Sequence, residues 1–245
     1  MSIIRLIVIL IIPLPSFGQN PTMRPLNELI NTTDPAWPLV KSWIGNATNP
    51  VEILPKDSVK ADSALYQTQV TTRSPMGAIL YETGGILIDN GWIRILGSGS
   101  PKLDRSLMGW NQGKTYMKIG ERPPYLLIAD DVLGGFFAIN AGGLAPDNVG
   151  KIYYFAPDNL NWESLDIGYS DFLKFCFNGD LNKFYAGYKW SGWLKDIVNI
   201  TGNQVILCYP YLFTKEGKDI NKDVRNPVPI QELWDFYMTF LKQNQ

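Results

Sequence analysis

The chain has 245 residues, 45% apolar and 18% charged, with 8 Trp, 12 Tyr and 11 Phe and a formal net charge of −1. So much apolar material excludes a disordered chain, and a near-neutral charge without a Lys/Arg cluster argues against a nucleic-acid or anionic-membrane partner. There is no histidine, which removes Ser-His-Asp and Cys-His catalysis and every zinc site built on imidazole.

Residues 1–18 read as a signal peptide: Arg5 gives the positive start, the run from Leu6 to Ile12 the apolar stretch, and Pro13 and Pro15 the break. Ser16-Phe17-Gly18 places small residues at −3 and −1, so cleavage is expected before Gln19 and residues 19–245 are expected to be periplasmic or secreted. The run is shorter than the ~20 residues of a membrane span, so no membrane association is expected after cleavage. Translation from Met23 would instead give a cytosolic form.

Residues 25–45 read as helical, broken at Asp34-Pro35; 51–55 as a short extended piece; and 57–69 as a helix with Ala61, Ala64 and Leu65 in register. Residues 78–82 run into the strand-rich centre. There Ile86-Leu87-Ile88 and Trp92-Ile93-Arg94-Ile95-Leu96 flank Asp89-Asn90-Gly91, a strong hairpin signal. A Gly/Ser/Pro loop occupies 97–107, and 110–119 reads as loop with a short helix or strand. Strands follow at 125–129, 136–140 and 152–156, joined by short turns, so an antiparallel meander is the economical arrangement. The period then lengthens. Ser170 is the expected N-cap of a helix carrying Phe172, Leu173 and Cys176 on one face; a second short helix covers 181–188, and another apolar piece 194–199. A strand at 204–209, a polar loop at 215–226 and a helix at 228–242 complete the chain. The fold class is α+β: a mostly antiparallel sheet with helices packed on one face, in one domain.

Asp130-Asp131 ahead of Gly134-Gly135 offers a carboxylate pair for a hard metal or for acid/base work. Adjacent strand residues point to opposite faces, so the favoured reading is a polar turn whose Asp side chains bond backbone amides. Glu82, before Thr83-Gly84-Gly85, is weighed as a functional carboxylate against the commoner case of a Glu at an element end. Gly97-Ser98-Gly99-Ser100 lacks the Gly-Lys-Ser/Thr of a phosphate cradle. Thr71-Thr72-Arg73-Ser74-Pro75-Met76-Gly77 suits a loop presenting Arg73 to a partner carboxylate, and equally an ordered connector with an internally paired Arg. Trp110, Trp190 and Trp193 flank Gly or polar residues and are the expected exposed aromatics for sugar stacking or an interface. Cys176 and Cys208 could pair in an oxidising compartment, but both lie in apolar runs and read better as buried thiols.

From Glu82 to Tyr185 the landmarks Glu82-Thr83-Gly84-Gly85, the strand pair ending at Ile95-Leu96-Gly97, residues 127–140 and Tyr169-Ser170-Asp171-Phe172-Leu173 resemble the layout of the SUKH superfamily. Its members include yeast cell-wall-synthesis regulators and bacterial toxin-immunity proteins. Residues 23–235, with Asp34-Pro35-Ala36-Trp37-Pro38 and 71–77 as signatures, resemble the bacterial family catalogued as domain of unknown function 2625. The resemblance implies an α+β sheet fold and a non-enzymatic, protein-binding role without a cofactor. The SUKH-like core would span about 57–188, leaving 189–245 as a C-terminal extension that the analogy does not explain. Immunity proteins of this kind act in the cytosol, which the apparent export signal here does not match. Two functions stay open: an exported protein-binding module, immunity-like, or an exported carboxylate-dependent enzyme or glycan-binding protein using Asp130, Asp131 or Glu82.

Overall fold

The computed structural model describes residues 23–244; the expected signal peptide lies outside them. Short helices α1 (Leu26–Leu29) and α2 (Trp37–Gly45) lead into strand β1 (Val51–Leu54). Helix α3 (Ser58–Thr68) starts where the Asp57 side chain accepts from the Val59 and Lys60 amides, and ends at Gln69 with φ of 56°. Helix α4 (Pro75–Glu82) has Ser74 as its cap and Pro75 in its first turn. Strands β2 (Gly85–Ile88) and β3 (Ile93–Leu96) form the expected hairpin, with Asp89 and Asn90 both at positive φ.

Helix α5 (Leu107–Asn111) precedes β4 (Tyr125–Asp131), β5 (Phe136–Asn140), β6 (Ile152–Ala156) and β7 (Asn161–Ser164). Strands β1 to β7 pair antiparallel in sequence order, a meander as expected, with α3 and α4 between β1 and β2 and α5 between β3 and β4. The β4–β5 register shifts between Leu127 and Ala129. Beside this shift the buried Asn111 side chain receives the Leu127 amide at 2.8 Å and donates to the Leu127 carbonyl at 2.8 Å. Those backbone groups lie past the end of β3, so a side chain replaces the missing strand. Helices α6 (Tyr169–Asn178), α7 (Leu181–Phe184) and α8 (Trp193–Ile197) follow, then a separate antiparallel ribbon of β8 (Gln204–Tyr209) and β9 (Val224–Pro229), and finally α9 (Ile230–Gln243).

Helices cover both faces of the sheet, where one had been expected. Phe136 and Phe137, adjacent on β5, point to opposite sides. Phe136 packs on Trp110 of α5 and Trp234 of α9, with ring centroids 6.3 and 4.9 Å away. Phe137 packs on Phe172 of α6 and Phe184 of α7, at 4.9 and 6.4 Å. The C-terminal segment provides part of the cover for the first face, and the central strands are accordingly apolar on both sides. The buried cluster runs from Ala36 to Tyr237.

Other expectations move at their edges. Residues 78–82 are helical; α6 is capped at Gly168, before Ser170; and α7 stops at Phe184. Part of the polar loop at 215–226 and the first two residues assigned to the last helix belong to β9. Pro227 and Pro229 are tolerated there because β9 is a ribbon edge needing few donors.

Candidate functional site

Asp130 pairs in register with Arg94 on β3 and faces the side covered by α5 and α9. Its carboxylate is fully buried between two guanidiniums: Arg94 Nε donates to Oδ1 at 2.6 Å and Arg105 Nη1 to Oδ2 at 2.7 Å. Arg94 continues to the carbonyls of Asp131 at 2.6 Å and Gln204 at 2.5 Å, and Arg105 to that of Gly202 at 2.7 Å. The cluster therefore ties the turn before β8 to the sheet. It holds two cations for one anion. Burial pushes the Arg105 pKa down, against the pull of Asp130.

Asp131 faces the other side. Its Oδ1 accepts from the Leu133 and Gly135 amides, both at 2.9 Å, closing the β4–β5 turn. Its Oδ2 accepts from the hydroxyls of Tyr154 at 2.7 Å and Tyr185 at 3.2 Å. Burial raises its pKa, and these hydrogen bonds act in the opposite direction. The two carboxylates do not converge on a common atom. Asp131 caps a turn, as the favoured reading has it; Asp130 is instead the centre of a buried ion-pair cluster. Among the described residues no three His, Cys, Asp or Glu gather as metal ligands.

The remaining candidates are dispersed. Arg73 lies exposed in the turn between α3 and α4, its Nη2 3.2 Å from Asp34 Oδ2. That turn is tied down by Thr72, whose amide donates to Leu29 O and whose carbonyl accepts from Ala36 N. Glu82 closes α4 and lies 3.7 Å from Lys56 Nζ. The expected exposure of the tryptophans is corrected: Trp110 and Trp190 are 4% and 1% exposed, and only Trp193 is half-buried. Trp190 packs against Trp92 and donates to Asp196 Oδ2 at 2.7 Å, while Trp193 meets Trp92 edge-on. Flanking polarity misleads here because aromatic neighbours come from distant segments. Cys176 and Cys208 are both buried and free, so the disulfide alternative falls.

What sequence reasoning missed lies beside Arg105. A cleft of about 460 Å³ opens between α5, the turn before β8 and the start of α9, with Arg105, Trp110, Lys114, Asn203, Ile230 and Gln231 among its walls. Two cations flank one indole: Arg105 Cζ is 4.6 Å and Lys114 Nζ 3.9 Å from the Trp110 ring. Lys114 Nζ donates to Gln231 Oε1 at 2.7 Å. Burial lowers the Lys114 pKa; Asp235 opposes that shift and Arg105 adds to it. On the opposite face a smaller cleft of about 180 Å³ is lined by Tyr154, Tyr185, Tyr188, Asp158 and Glu163.

A family model described as "Protein of unknown function DUF2625" matches residues 26–233. The chain belongs to this family. The DUF2625 chain is 45% identical to the uncharacterized protein YbfG of Escherichia coli (strain K12) over 213 residues, covering 87% of this chain and 95% of that one. An uncharacterized protein of Haemophilus influenzae is 43% identical over 223 residues, covering 91% of this chain and 96% of its own length. No solved structure matches the DUF2625 chain. None of its described helices is long and apolar enough to cross a membrane.

Proposed function

We propose that this DUF2625 chain is an exported, non-enzymatic module that binds another protein, built on a SUKH-like sheet and acting in the manner of an immunity protein. One observation carries the reading. The acidic pair that an enzyme of this composition would use is consumed internally, whereas the open cleft beside it presents cations and amides. Its volume lies in the range of about 300–1,000 Å³ common to ligand sites. The meander with its helices agrees with the fold that the resemblance implies, and the Arg5-to-Gly18 leader supports export.

The tyrosine-lined cleft favours the alternative of a glycan-binding protein or carboxylate enzyme, since Asp131 stands behind two of its hydroxyls. At about 180 Å³ it is smaller than that common range, and the buried acid is already saturated with donors. The binding reading is therefore preferred.

Affinity capture of residues 19–245 from periplasmic extract, followed by mass spectrometry, tests it. A stoichiometric protein partner is expected. Retention on a glycan matrix with no protein partner would move the assignment to the alternative.

A further inference from the structure

We propose that the cleft beside Asp130 is a carboxylate-binding site, which receives an acidic side chain or a C-terminal carboxylate of the partner and packs the adjoining apolar group on Trp110. This rests on the protein-binding reading and names the chemistry of its contact.

Arg94 and Arg105 share the single carboxylate of Asp130, which leaves one positive charge without a counterpart inside a buried cluster. Lys114 brings a further cation to the cleft wall, where its hydrogen-bond partner is the neutral amide of Gln231 and Asp235 offsets its charge in part. Both Arg105 and Lys114 lie against the same indole, where the charge of Arg105 disfavours that of Lys114, as Arg94 disfavours that of Arg105. Like charges held together and partly removed from water are an unfavourable arrangement in the free protein, and an anion placed between them relieves it.

The acids near the cleft perform that service only in part, Asp235 by supporting the charge of Lys114. Asp104 is at the rim and pairs with Lys60 at 3.4 Å. Asp235 accepts from Gln231 Nε2 at 2.9 Å, and Glu232 belongs to the first turn of α9. Their presence sets the class of ligand. A monoanion balances the one surplus charge of the arginine cluster, whereas a phosphate dianion would also face Asp104 at the cleft wall and Asp235 close to Lys114. The neutral part of the site has the same polarity. Helix α9 has fourteen residues and no side chain capping its start, and its Ile230 and Gln231 line the cleft, so its dipole adds positive potential there. Trp110 supplies an apolar wall, and its Nε1 is a buried donor without a partner.

The test uses residues 19–245 and an N-acetylated, C-amidated tripeptide, Ala-Asp-Phe, against its Ala-Asn-Phe counterpart, by isothermal titration at low salt. The Asp peptide is expected to bind and the Asn peptide to bind at least tenfold more weakly. Lys114→Met keeps the stem over the indole and removes the charge; it should weaken the Asp peptide about tenfold at unchanged melting temperature. Equal binding of the two peptides, no binding of either, or indifference to Lys114→Met overturns the proposal. So does displacement of the peptide by inorganic phosphate at concentrations where acetate has no effect. Capturing partners with Lys114→Glu separates this inference from the reading beneath it. A protein partner retained equally by Lys114→Glu and by the parent chain sinks the site and leaves the module. Peptide binding through Lys114 with no protein partner captured does the reverse.

Discussion

Replacing Asp130 with Asn would leave Arg94 and Arg105 buried without their shared counter-charge. Removing one partner of a buried ion pair costs about 3–5 kcal/mol, so Asp130→Asn should fall in that range in urea unfolding. Asp131→Asn keeps an oxygen for the two turn amides and should cost only about 0.5–2 kcal/mol, as other lost caps do. Equal losses would show that the two environments are not as different as their geometry. The Asp131 substitution also carries a pH signature. Its folded-state pKa lies above the ordinary 3.8, so the native state holds the proton more tightly than the unfolded chain does. The stabilising contribution is full below the unfolded pKa and is lost as pH rises through the folded one. Asp131→Asn should therefore cost more near pH 4 than near pH 7, compared with the parent at each pH; a constant difference would remove the signature. The thiols give a second residue-scale test. Burial pushes Cys208 up to about 12 and Cys176 higher still, which makes thiolate scarce near neutrality. Ellman's reagent should find almost no reactive thiol in the native protein and two per chain in guanidinium. None in guanidinium would mean that the cysteines pair after all.

At the scale of elements, the fit of α9 onto the sheet is tight. Gly134 has a φ of +80°, and a Cβ there would overlap the Leu233 side chain of α9. Gly134→Ala should cost about 2–5 kcal/mol, combining left-handed strain with overpacking. Gly91 has a φ of +90° with nothing near its missing Cβ, so Gly91→Ala should show only the strain, about 1–2 kcal/mol. Equal melting-temperature losses for the two would mean that α9 yields at no cost. Elements of this size were legible where local signals agreed. Asp89-Asn90-Gly91 marks its own turn, and 204–209 matches β8 residue for residue. Helix α4 was obscured because its apolar residues, Met76 to Leu80, are buried all round and show no stripe. Strand β9 was obscured by Pro227 and Pro229, which read as breakers unless the strand is known to lie at an edge.

For the molecule as a whole, residues 189–244 complete the fold and do not form an appendage. They supply β8, β9 and α9, with Trp234 and Tyr237 lying on Phe136 and Phe155. A chain ending at 188 uncovers that face and leaves Arg94 and Arg105 without the Gln204 and Gly202 carbonyls. It should bind the dye ANS strongly and elute as aggregate in size-exclusion chromatography; a monodisperse, dye-free fragment would refute this. The cleft depends on the same closure, which explains why it escaped sequence reasoning. Arg105 and Lys114 approach Asn203 and Gln231 only once the C-terminal segment folds back, and no periodicity connects positions so far apart.

The opposed facing of Asp130 and Asp131 also fixes the phase of β4. Were the strand to slide by one residue toward its start or its end, either Ala129 would meet the guanidiniums of Arg94 and Arg105 or Val132 would meet the turn amides and tyrosine hydroxyls. Each misalignment strands buried charge or buried donors that the correct alignment satisfies. The acidic dipeptide thus acts as a two-sided key, accepting one seating of the central strand and rejecting its neighbours.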